Sequence, residues 1–196
     1  MLLYEDIIKD DNPILRNKSE PVELPLSAED IASIEKINEY IVNGYDPEKV
    51  EKYGLRPAYG LAAPQIGVFK KIFVILAEDE NGNTHHYAVI NPKIISHSEE
   101  KIYLPDGEGC LSVDRNVSGY VHRYKRIKAR TWLYDFETKT AHEEVLKLEN
   151  LIAVIFQHEY DHLFGILFYD HIDKANPFFI EDNSSCLTFA KNNGEQ

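Results

Sequence analysis

The feature that most constrains this chain is a pair of histidines, His158 and His162, with Glu159 directly after the first. Side chains four residues apart lie on one face of an α-helix, so both imidazoles can reach a single ion. Glu159 is then placed to take a proton from a water at that ion without binding the ion itself. The string predicts a metal site, although amphipathic helices also carry such strings by chance, with histidines that only form hydrogen bonds in the core.

Apolar residues around the two histidines indicate that this helix is buried. Leu151, Val154 and Ile155 fall on the face that carries the histidines, and Ile166 resumes the pattern downstream. We therefore expect Leu151, Val154 and Ile155 to line an apolar pocket beside the metal.

Composition indicates one ordinary globular domain spanning residues 1–196, with 43% apolar and 11% aromatic residues. Acidic residues outnumber basic ones 33 to 21, which gives a formal net charge of -12. This charge argues against a general affinity for nucleic acid or anionic membranes, and it leaves room only for local basic patches.

The first eleven residues carry acids where a secretory signal has lysines, and they contain no apolar stretch of sufficient length. The longest apolar runs, residues 72–77 and 151–156, are far shorter than a membrane span. We therefore expect a cytoplasmic protein without a transmembrane helix.

Two cysteines, Cys110 and Cys186, are present. A cytosolic setting disfavours a disulfide between them, so each is treated as a thiol. Cys186 has apolar neighbours in the tail and is expected to pack there as an inert side chain.

The first regular element that the sequence predicts is a helix. Ser27 and Asp30 form a capping box, and isoleucines at helical spacing extend the helix from about Ala28 to Val42. The following segment, residues 46–57, carries no signal that identifies a role.

Alternating apolar residues predict strands at residues 72–76, 87–90, 93–97, 101–104, 126–134 and 140–148. Asn81-Gly82 predicts a type I′ hairpin turn, and Asn91-Pro92 predicts a break. Strands followed by the metal helix indicate an α+β fold. We expect mostly antiparallel sheets around a central metal-binding helix near the C-terminus, with the N-terminal helix packed outside.

Two loops carry further chemical signals. Residues 59–67 are mostly small and include Gln65, which brings both a donor and an acceptor, so they form either a binding loop or a tight turn. In residues 105–113, Gly109 lets the backbone bend beside Cys110. That cysteine is either a third metal ligand or a small buried hydrophobic residue.

Three segments together resemble, in the same order, the signature motifs of peptide deformylase: Gly60–Gln65, Glu108–Ser112 and Gln157–His162. The similarity extends from Ile7 to about Pro177. The insert at residues 45–56 and the short tail are similar to the branch of the family common in Gram-positive-type bacteria. The chain departs from the family at Ala58, where a glycine is usual, and at Tyr59, where a smaller apolar residue is usual.

This resemblance implies a metal site and a catalytic set. Cys110, His158 and His162 would hold one divalent ion, Fe(II) natively, with Zn, Ni or Co as replacements, and Glu159 would be the general base and then the acid. The Gln65 amide and the backbone N–H of Leu111 would face the developing oxyanion. Glu108, paired with Arg123, would hold the cysteine loop in place.

The resemblance also implies a substrate and a setting. The activity would be removal of the formyl group from N-formylmethionine of newly made polypeptides, with release of formate. The residues expected to contact the substrate are Tyr59, Gly60, Gly109, Leu151, Val154 and Ile155. The protein would be a monomer with transient ribosome proximity, without sequence-specific nucleic-acid binding and without a membrane partner.

Two other classes of protein share the histidine pair. A zinc endopeptidase would need His171 or Asp173 as its third ligand. A structural metal site would need four protein ligands, with Cys186 or His171 as the fourth. Neither class accounts for both loops.

Overall fold

The computed structural model describes residues 1–188. Its α-helices are α1 (Ala28–Asn43), α2 (Pro47–Tyr53) and α3 (Asn150–His162). Its strands are β1 (Gly60–Ala62), β2 (Ile72–Glu78), β3 (Thr84–His97), β4 (Lys101–Tyr103), β5 (Arg123–Tyr124), β6 (Arg126–Tyr134), β7 (Ala141–Glu149) and β8 (Ser184–Cys186). Short 3₁₀ turns lie at Tyr4–Asp6, Pro13–Arg16, Ala63–Ile66 and Phe168–His171.

Two sheets surround α3. The larger has the antiparallel order β1-β2-β3-β6-β7, and the smaller has the order β5-β4-β8, in which β4 and β8 run parallel. The predicted α+β fold with mostly antiparallel sheets is therefore confirmed. The register of β6 on β7 pairs Arg126 with Glu149 and Tyr134 with Ala141, close to the predicted hairpin.

The helix α3 packs on one face of the larger sheet. Phe156 of α3 meets Phe73 of β2 edge to face, with ring centroids 5.0 Å apart, and both side chains are fully buried. Val89 and Ala129 extend the same core across the neighbouring strands. Burial of one such aromatic side chain stabilises the fold by roughly 1.5–3 kcal/mol, so this core fixes the position of α3.

The helix α1 packs on the opposite face of the larger sheet. Ile34 and Ile41 are fully buried and belong to one core with Val74 of β2. The predicted capping box is present: the Asp30 N–H donates to the Ser27 hydroxyl at 3.1 Å, and the Ser27 N–H donates to the Asp30 carboxylate at 3.3 Å. Local sequence therefore begins this helix where expected.

The predicted type I′ turn is wrong. β2 and β3 do form a hairpin, but only Gly82 has a positive φ, 80°, whereas a type I′ turn needs two such residues. The N–H of Gly82 donates to the Asp79 carbonyl, and the N–H of Asp79 donates to the Asn83 carbonyl, both at 3.0 Å. This pattern is a type I turn followed by a glycine bulge. Asp79 favours it because its carboxylate accepts the N–H of Asn81 at 2.9 Å.

The predicted break at Asn91-Pro92 is also wrong, because β3 continues through it. The chain accommodates proline with a register shift against β6 between Ile90 and Lys93, and Asn91 takes a positive φ of 50°. The Asn91 side chain compensates by bonding Val22 in both directions, at 2.8 Å each. A bulge within β3 thus replaces the predicted break.

The expected continuation of the helix face to Ile166 is wrong, since α3 ends at His162. Gly165, with φ 71°, donates its N–H to the His162 carbonyl at 3.2 Å, and the N–H of Ile166 donates to the Asp161 carbonyl at 3.1 Å. These two bonds form a Schellman cap, for which glycine is the usual residue. A Cβ at Gly165 would also lie 2.2 Å from the Arg16 carbonyl oxygen.

Two further differences concern residues without an assigned role. Cys186 is exposed on β8, so the expectation of a buried, packed thiol is wrong. The unassigned segment, residues 46–57, contains α2, which Asp46 caps by accepting the N–H of Glu48 at 3.1 Å.

No helix within residues 1–188 is both long and apolar enough to cross a membrane.

Candidate metal centre

The three predicted ligands come together at the middle of the fold. α3 carries His158 and His162, and the loop before β5 brings Cys110, whose Sγ lies 3.4 Å from His162 Nε2. One donor atom from each residue falls within 4.8 Å of the others. Among residues 1–188 this is the only group of three or more such side chains that converges in this way.

The protonation states of this group suit a metal. Burial by itself raises the pKa of the Cys110 thiol, but the imidazoles of His162 and His158 outweigh burial and hold that pKa well below its ordinary value. The thiolate, which is the form that binds metals, is therefore favoured. Donor atoms of a tetrahedral site with bonds of 2.0–2.3 Å lie roughly 3.3–3.7 Å apart, which agrees with the spacing of Cys110 and His162. The residues fit a three-ligand metal site with an open position.

A carboxylate orients the first histidine. Glu108 accepts from His158 Nδ1 at 2.7 Å, which leaves Nε2 free for an ion. Arg123 donates to both Glu108 oxygens, at 2.9 and 3.0 Å, and both side chains are buried. Burial raises the pKa of Glu108, yet Arg123 and His158 outweigh it and lower the pKa to about 2. Glu108 thus stays ionised and ties the cysteine loop to the helix, as its predicted role requires.

The sequence reasoning missed an outer continuation of this network. Asp161, one residue before the second histidine, accepts from Arg123 and from His171 Nε2, the latter at 2.7 Å. His171 is therefore a partner of Asp161 and lies outside the ligand group. Cys186 lies on β8 and outside the group as well, so neither rival ligand set is present among the described residues.

The predicted general base is buried beside the ligands. Glu159 is 4% exposed, and its Oε2 atom has no hydrogen-bond partner among the described residues. Burial raises the pKa of Glu159 to about 7, against the opposing effect of His158 and His162. A carboxyl with a pKa near neutrality can both accept and return a proton, which is what a general base that later acts as an acid must do.

Gly60 of β1 lies directly against this carboxyl. A Cβ at Gly60 would be 2.5 Å from Glu159 Oε1 and 2.8 Å from its Cδ, far inside contact distance. The glycine therefore makes room for Glu159, a role that its place in a run of small residues did not reveal.

Replacing Gly60 by alanine is expected to push the Glu159 carboxyl aside and to lower kcat by about 10-fold or more, with metal content retained. The measurement is a double-mutant cycle with Glu159→Gln. If the alanine acts through Glu159, the double variant is no slower than Glu159→Gln alone. If the losses in kcat of the two single variants multiply in the double variant, the alanine does not act through Glu159.

Gln65 presents a fixed donor to the site. Its Oε1 accepts the N–H of Ala62 at 2.8 Å, so its amide nitrogen points the other way, 3.1 Å from Ser112 Oγ and 3.6 Å from Cys110 Sγ. The backbone N–H of Leu111 forms no hydrogen bond with the described residues. The Gln65 amide thus lies beside the sulfur, and Leu111 directly follows Cys110 in the chain. Ser112 is a second residue that the sequence reasoning did not single out.

A cavity of about 550 Å³ opens beside these groups. Its lining includes every residue that the sequence analysis assigned to substrate contact: Tyr59, Gly60, Gly109, Leu151, Val154 and Ile155. Tyr59 is 57% exposed at the mouth, whereas the three residues of α3 are buried. The cavity is therefore an apolar recess that ends at the ligand group.

The cavity also contains residues that the sequence left without a role. Its wall includes the two end residues of the insert, Tyr45 and Arg56, and their neighbours outside it, Gly44 and Pro57. Tyr45 donates its hydroxyl to the Leu76 carbonyl at 2.5 Å, which anchors the insert to β2. No local sequence signal reports this placement, because it depends on contacts such as that of Tyr45 with Leu76, which lie far apart in the chain.

Comparisons with known proteins agree with this geometry. The family model described as polypeptide deformylase matches residues 4–178. Peptide deformylase 2 of Bacillus cereus is 52% identical over 188 residues, which cover 95% of this chain and 99% of the relative. Peptide deformylase 2 of Bacillus subtilis is 46% identical over 187 residues, with 95% and 99% covered. These relatives also fit the predicted Gram-positive-type branch.

Solved structures give the same result. Peptide deformylase from Ehrlichia chaffeensis superposes with a TM-score of 0.68 at 28% identity, covering 90% of this chain and 91% of that one. Peptide deformylase from Thermus thermophilus does so with a TM-score of 0.61 at 33% identity, covering 88% and 87%. The matched sequence, the shared fold and the convergent cysteine and histidines lead to one conclusion: the chain belongs to the polypeptide deformylase family.

Proposed function

We propose that this chain removes the formyl group from N-formylmethionine at the start of newly made polypeptides, by hydrolysis at a divalent metal held by Cys110, His158 and His162. The convergence of these three donors beside the buried carboxyl of Glu159 is the observation that carries the proposal. Three protein ligands, rather than four, leave a position open for water and substrate, as catalytic sites require.

A divalent ion in this site would polarise the formyl carbonyl and make a water acidic enough to act as a nucleophile near neutral pH. Glu159 accepts the proton of the attacking water and later passes it to the leaving amine. Its pKa of about 7 suits both transfers. Gly60 keeps the space in which the carboxyl turns between water and amine.

Gln65 and Leu111 stabilise the negative charge that develops on the formyl oxygen. The Gln65 amide is already oriented by Ala62, and the Leu111 N–H is free to donate. Donors that need no reorganisation when charge develops contribute most to catalysis, and loss of one such donor costs about 10²–10³ in kcat elsewhere.

The shape of the cavity supports a preference for methionine as the first residue of the peptide substrate. Leu151, Val154 and Ile155 form a buried apolar wall, and Tyr59 closes the mouth. An unbranched methionine side chain fills such a recess, and its burial is worth roughly 1.5–3 kcal/mol. The formyl carbon carries only hydrogen, so it fits between Gln65 and the ligand group, where an acetyl methyl would clash.

We expect rapid deformylation of formyl-Met and formyl-norleucine peptides, with kcat/KM about ten- to hundred-fold lower for formyl-Lys and almost no action on acetyl-Met. The measurement is a rate comparison on peptides that differ only in the first residue or the acyl group, with mass spectrometry to detect internal cleavage. Cleavage inside the peptide with the formyl group retained would overturn the deformylase assignment and favour an endopeptidase.

We further propose Fe(II) as the native ion. The family uses ferrous iron, and a thiolate ligand beside an open position leaves such a site open to oxidation. Activity of the iron form should fall in aerated buffer, while nickel or cobalt forms should keep theirs. Equal half-lives of the iron and nickel forms in air would contradict this proposal.

The proposed setting is the cytoplasm, where formylated polypeptides are made, with transient ribosome proximity. We propose a monomer of 22.6 kDa, because the cavity and all three ligands come from one chain. A solution mass of about twice that value by light scattering would contradict the monomer.

A further inference from the structure

One part of the larger sheet lacks a helix over it. α1 covers the face that carries Val74, Ile90 and Trp132, but not the end where β3, β6 and β7 continue past Trp132. Side chains two residues apart along a strand share a face. The uncovered end of this face therefore presents five exposed cations, of which Arg126 pairs with Glu100. The other four are called the basic patch: Lys93, Lys128, Arg130 and Lys147.

The register of the sheet sets these cations against one another. Lys93 lies opposite Arg130, and Lys128 lies opposite Lys147. Like charges directly opposite on one face are destabilising, because their side chains lie about 4.5–5.5 Å apart at Cβ. The sheet thus retains two repulsive pairs in adjacent rows, on a protein whose net charge is -12.

Internal carboxylates neutralise little of this charge. Arg130 has a weak contact with Glu143 at 3.9 Å, and both side chains are exposed. None of the three lysines has a carboxylate oxygen within 4.0 Å among residues 1–188. Glu149 lies on the same face, opposite Arg126 and two residues from Lys147, and marks the border of the patch. The Debye length is about 8 Å at physiological salt, so acids beyond that distance are largely screened from the patch.

Protection of a sheet edge explains only part of the arrangement. Lysines often guard edge strands against pairing with other chains. Lys147 lies on the edge strand β7, and Lys93 lies on the part of β3 that pairs with β6 but no longer with β2, so these two could serve that purpose. Lys128 and Arg130 lie on β6, which pairs with β3 and with β7 at these positions. Their charges have no edge to protect, so a partner that supplies negative charge accounts for them better.

We propose that the basic patch binds the phosphodiester backbone of ribosomal RNA, which brings the enzyme to its formylated nascent chains. RNA is favoured because the cations form a regular array on paired strands, and the neighbouring aromatic side chain on this face, Trp132, is half-buried against the core. Such an array suits contacts to phosphates rather than to bases. The choice of ribosomal RNA rests on the proposed function. Binding would be independent of base sequence.

The position of the patch allows binding and catalysis together. α3 and the ligand group lie on one face of the larger sheet, and the patch lies on the other. RNA bound to the patch therefore leaves the cavity open to a polypeptide.

The test compares two variants with equal charge changes. The patch variant carries Lys93→Gln, Lys128→Gln and Lys147→Gln. The control carries Lys18→Gln, Lys36→Gln and Lys174→Gln, at exposed lysines without an ion pair in the described part of the chain. Binding of each full-length protein to an RNA duplex and to bacterial ribosomes is measured between about 50 and 200 mM salt.

The patch variant should bind RNA and ribosomes at least about tenfold more weakly than the control, and its slope of log K against log salt should be shallower by about two to three. The control should bind like the unmodified protein. Both variants should deformylate a short formyl-Met peptide at the unmodified rate. Because two repulsive pairs are removed, the patch variant should melt no lower than the control, and Lys128→Gln alone provides a milder second variant.

Equal RNA binding by the patch and control variants would overturn the proposal, as would absence of RNA binding by the unmodified protein at the lowest salt. Binding to the duplex without binding to ribosomes would overturn the assignment to ribosomal RNA. Patch-dependent binding to phosphatidylglycerol vesicles without RNA binding would identify a membrane surface instead. If the unmodified protein binds RNA but does not hydrolyse the short peptide, the proposed function is contradicted, whereas RNA binding by the basic patch is supported.

Discussion

Replacing Glu159 by glutamine is expected to lower kcat by about 10²- to 10⁴-fold while the fold and the metal content stay unchanged. The glutamine amide is close in size to the carboxyl but cannot accept the proton of the attacking water. Since Glu159 stands beside the ligand group without belonging to it, its replacement removes no metal donor. The measurement is kcat on a formyl-Met peptide, with metal content determined on the same sample.

Glu159→Asp provides a matched control, because it keeps the carboxyl and withdraws it by one methylene. Partial activity for aspartate and very low activity for glutamine would show that the carboxyl moves the proton. Loss of the metal in Glu159→Gln would instead identify Glu159 as a ligand. Full activity of the glutamine variant would show that Glu159 is not the general base.

Cys110→Ala is expected to lose the metal and, with it, more than about 100-fold of the activity. Changes to groups that only orient metal ligands cost about 10- to 100-fold in affinity or activity, so loss of a ligand should cost more. Only His158 and His162 would then remain of the converging donors. The measurement is metal content after dialysis together with kcat/KM on a formyl-Met peptide.

The second cysteine provides the control for this variant. Cys186 is exposed on β8, far from the ligand group in sequence and outside it in space, so Cys186→Ala should keep both metal and activity. A Cys110→Ala protein with full metal content and full activity would refute the ligand assignment.

Much of the fold follows from local sequence. Ser27 caps α1 where expected, the strand β6 has the predicted bounds, and the spacing of His158 and His162 places both on one helix. Each of these features depends on residues within a few positions of one another, so the sequence pattern carries enough information. The three motifs in family order extended the prediction from single elements to a whole site.

The errors arise where a local signal competes with a distant contact. Asn91-Pro92 is a good turn signal, but pairing with β6 and the bonds from Asn91 to Val22 keep β3 continuous. Cys186 has apolar neighbours in sequence, yet pairing of β8 with β4 leaves its side chain exposed.

By itself, then, the sequence determined the secondary structure around the motifs, the donor types and the family. Only the tertiary structure decided that Gly60 abuts Glu159, that His171 holds Asp161, and that the insert walls the cavity. It also placed the four cations of the basic patch on one uncovered sheet face. These contacts join residues that are mostly far apart in the chain, and sheet register and helix packing set their distances, which no short sequence pattern encodes.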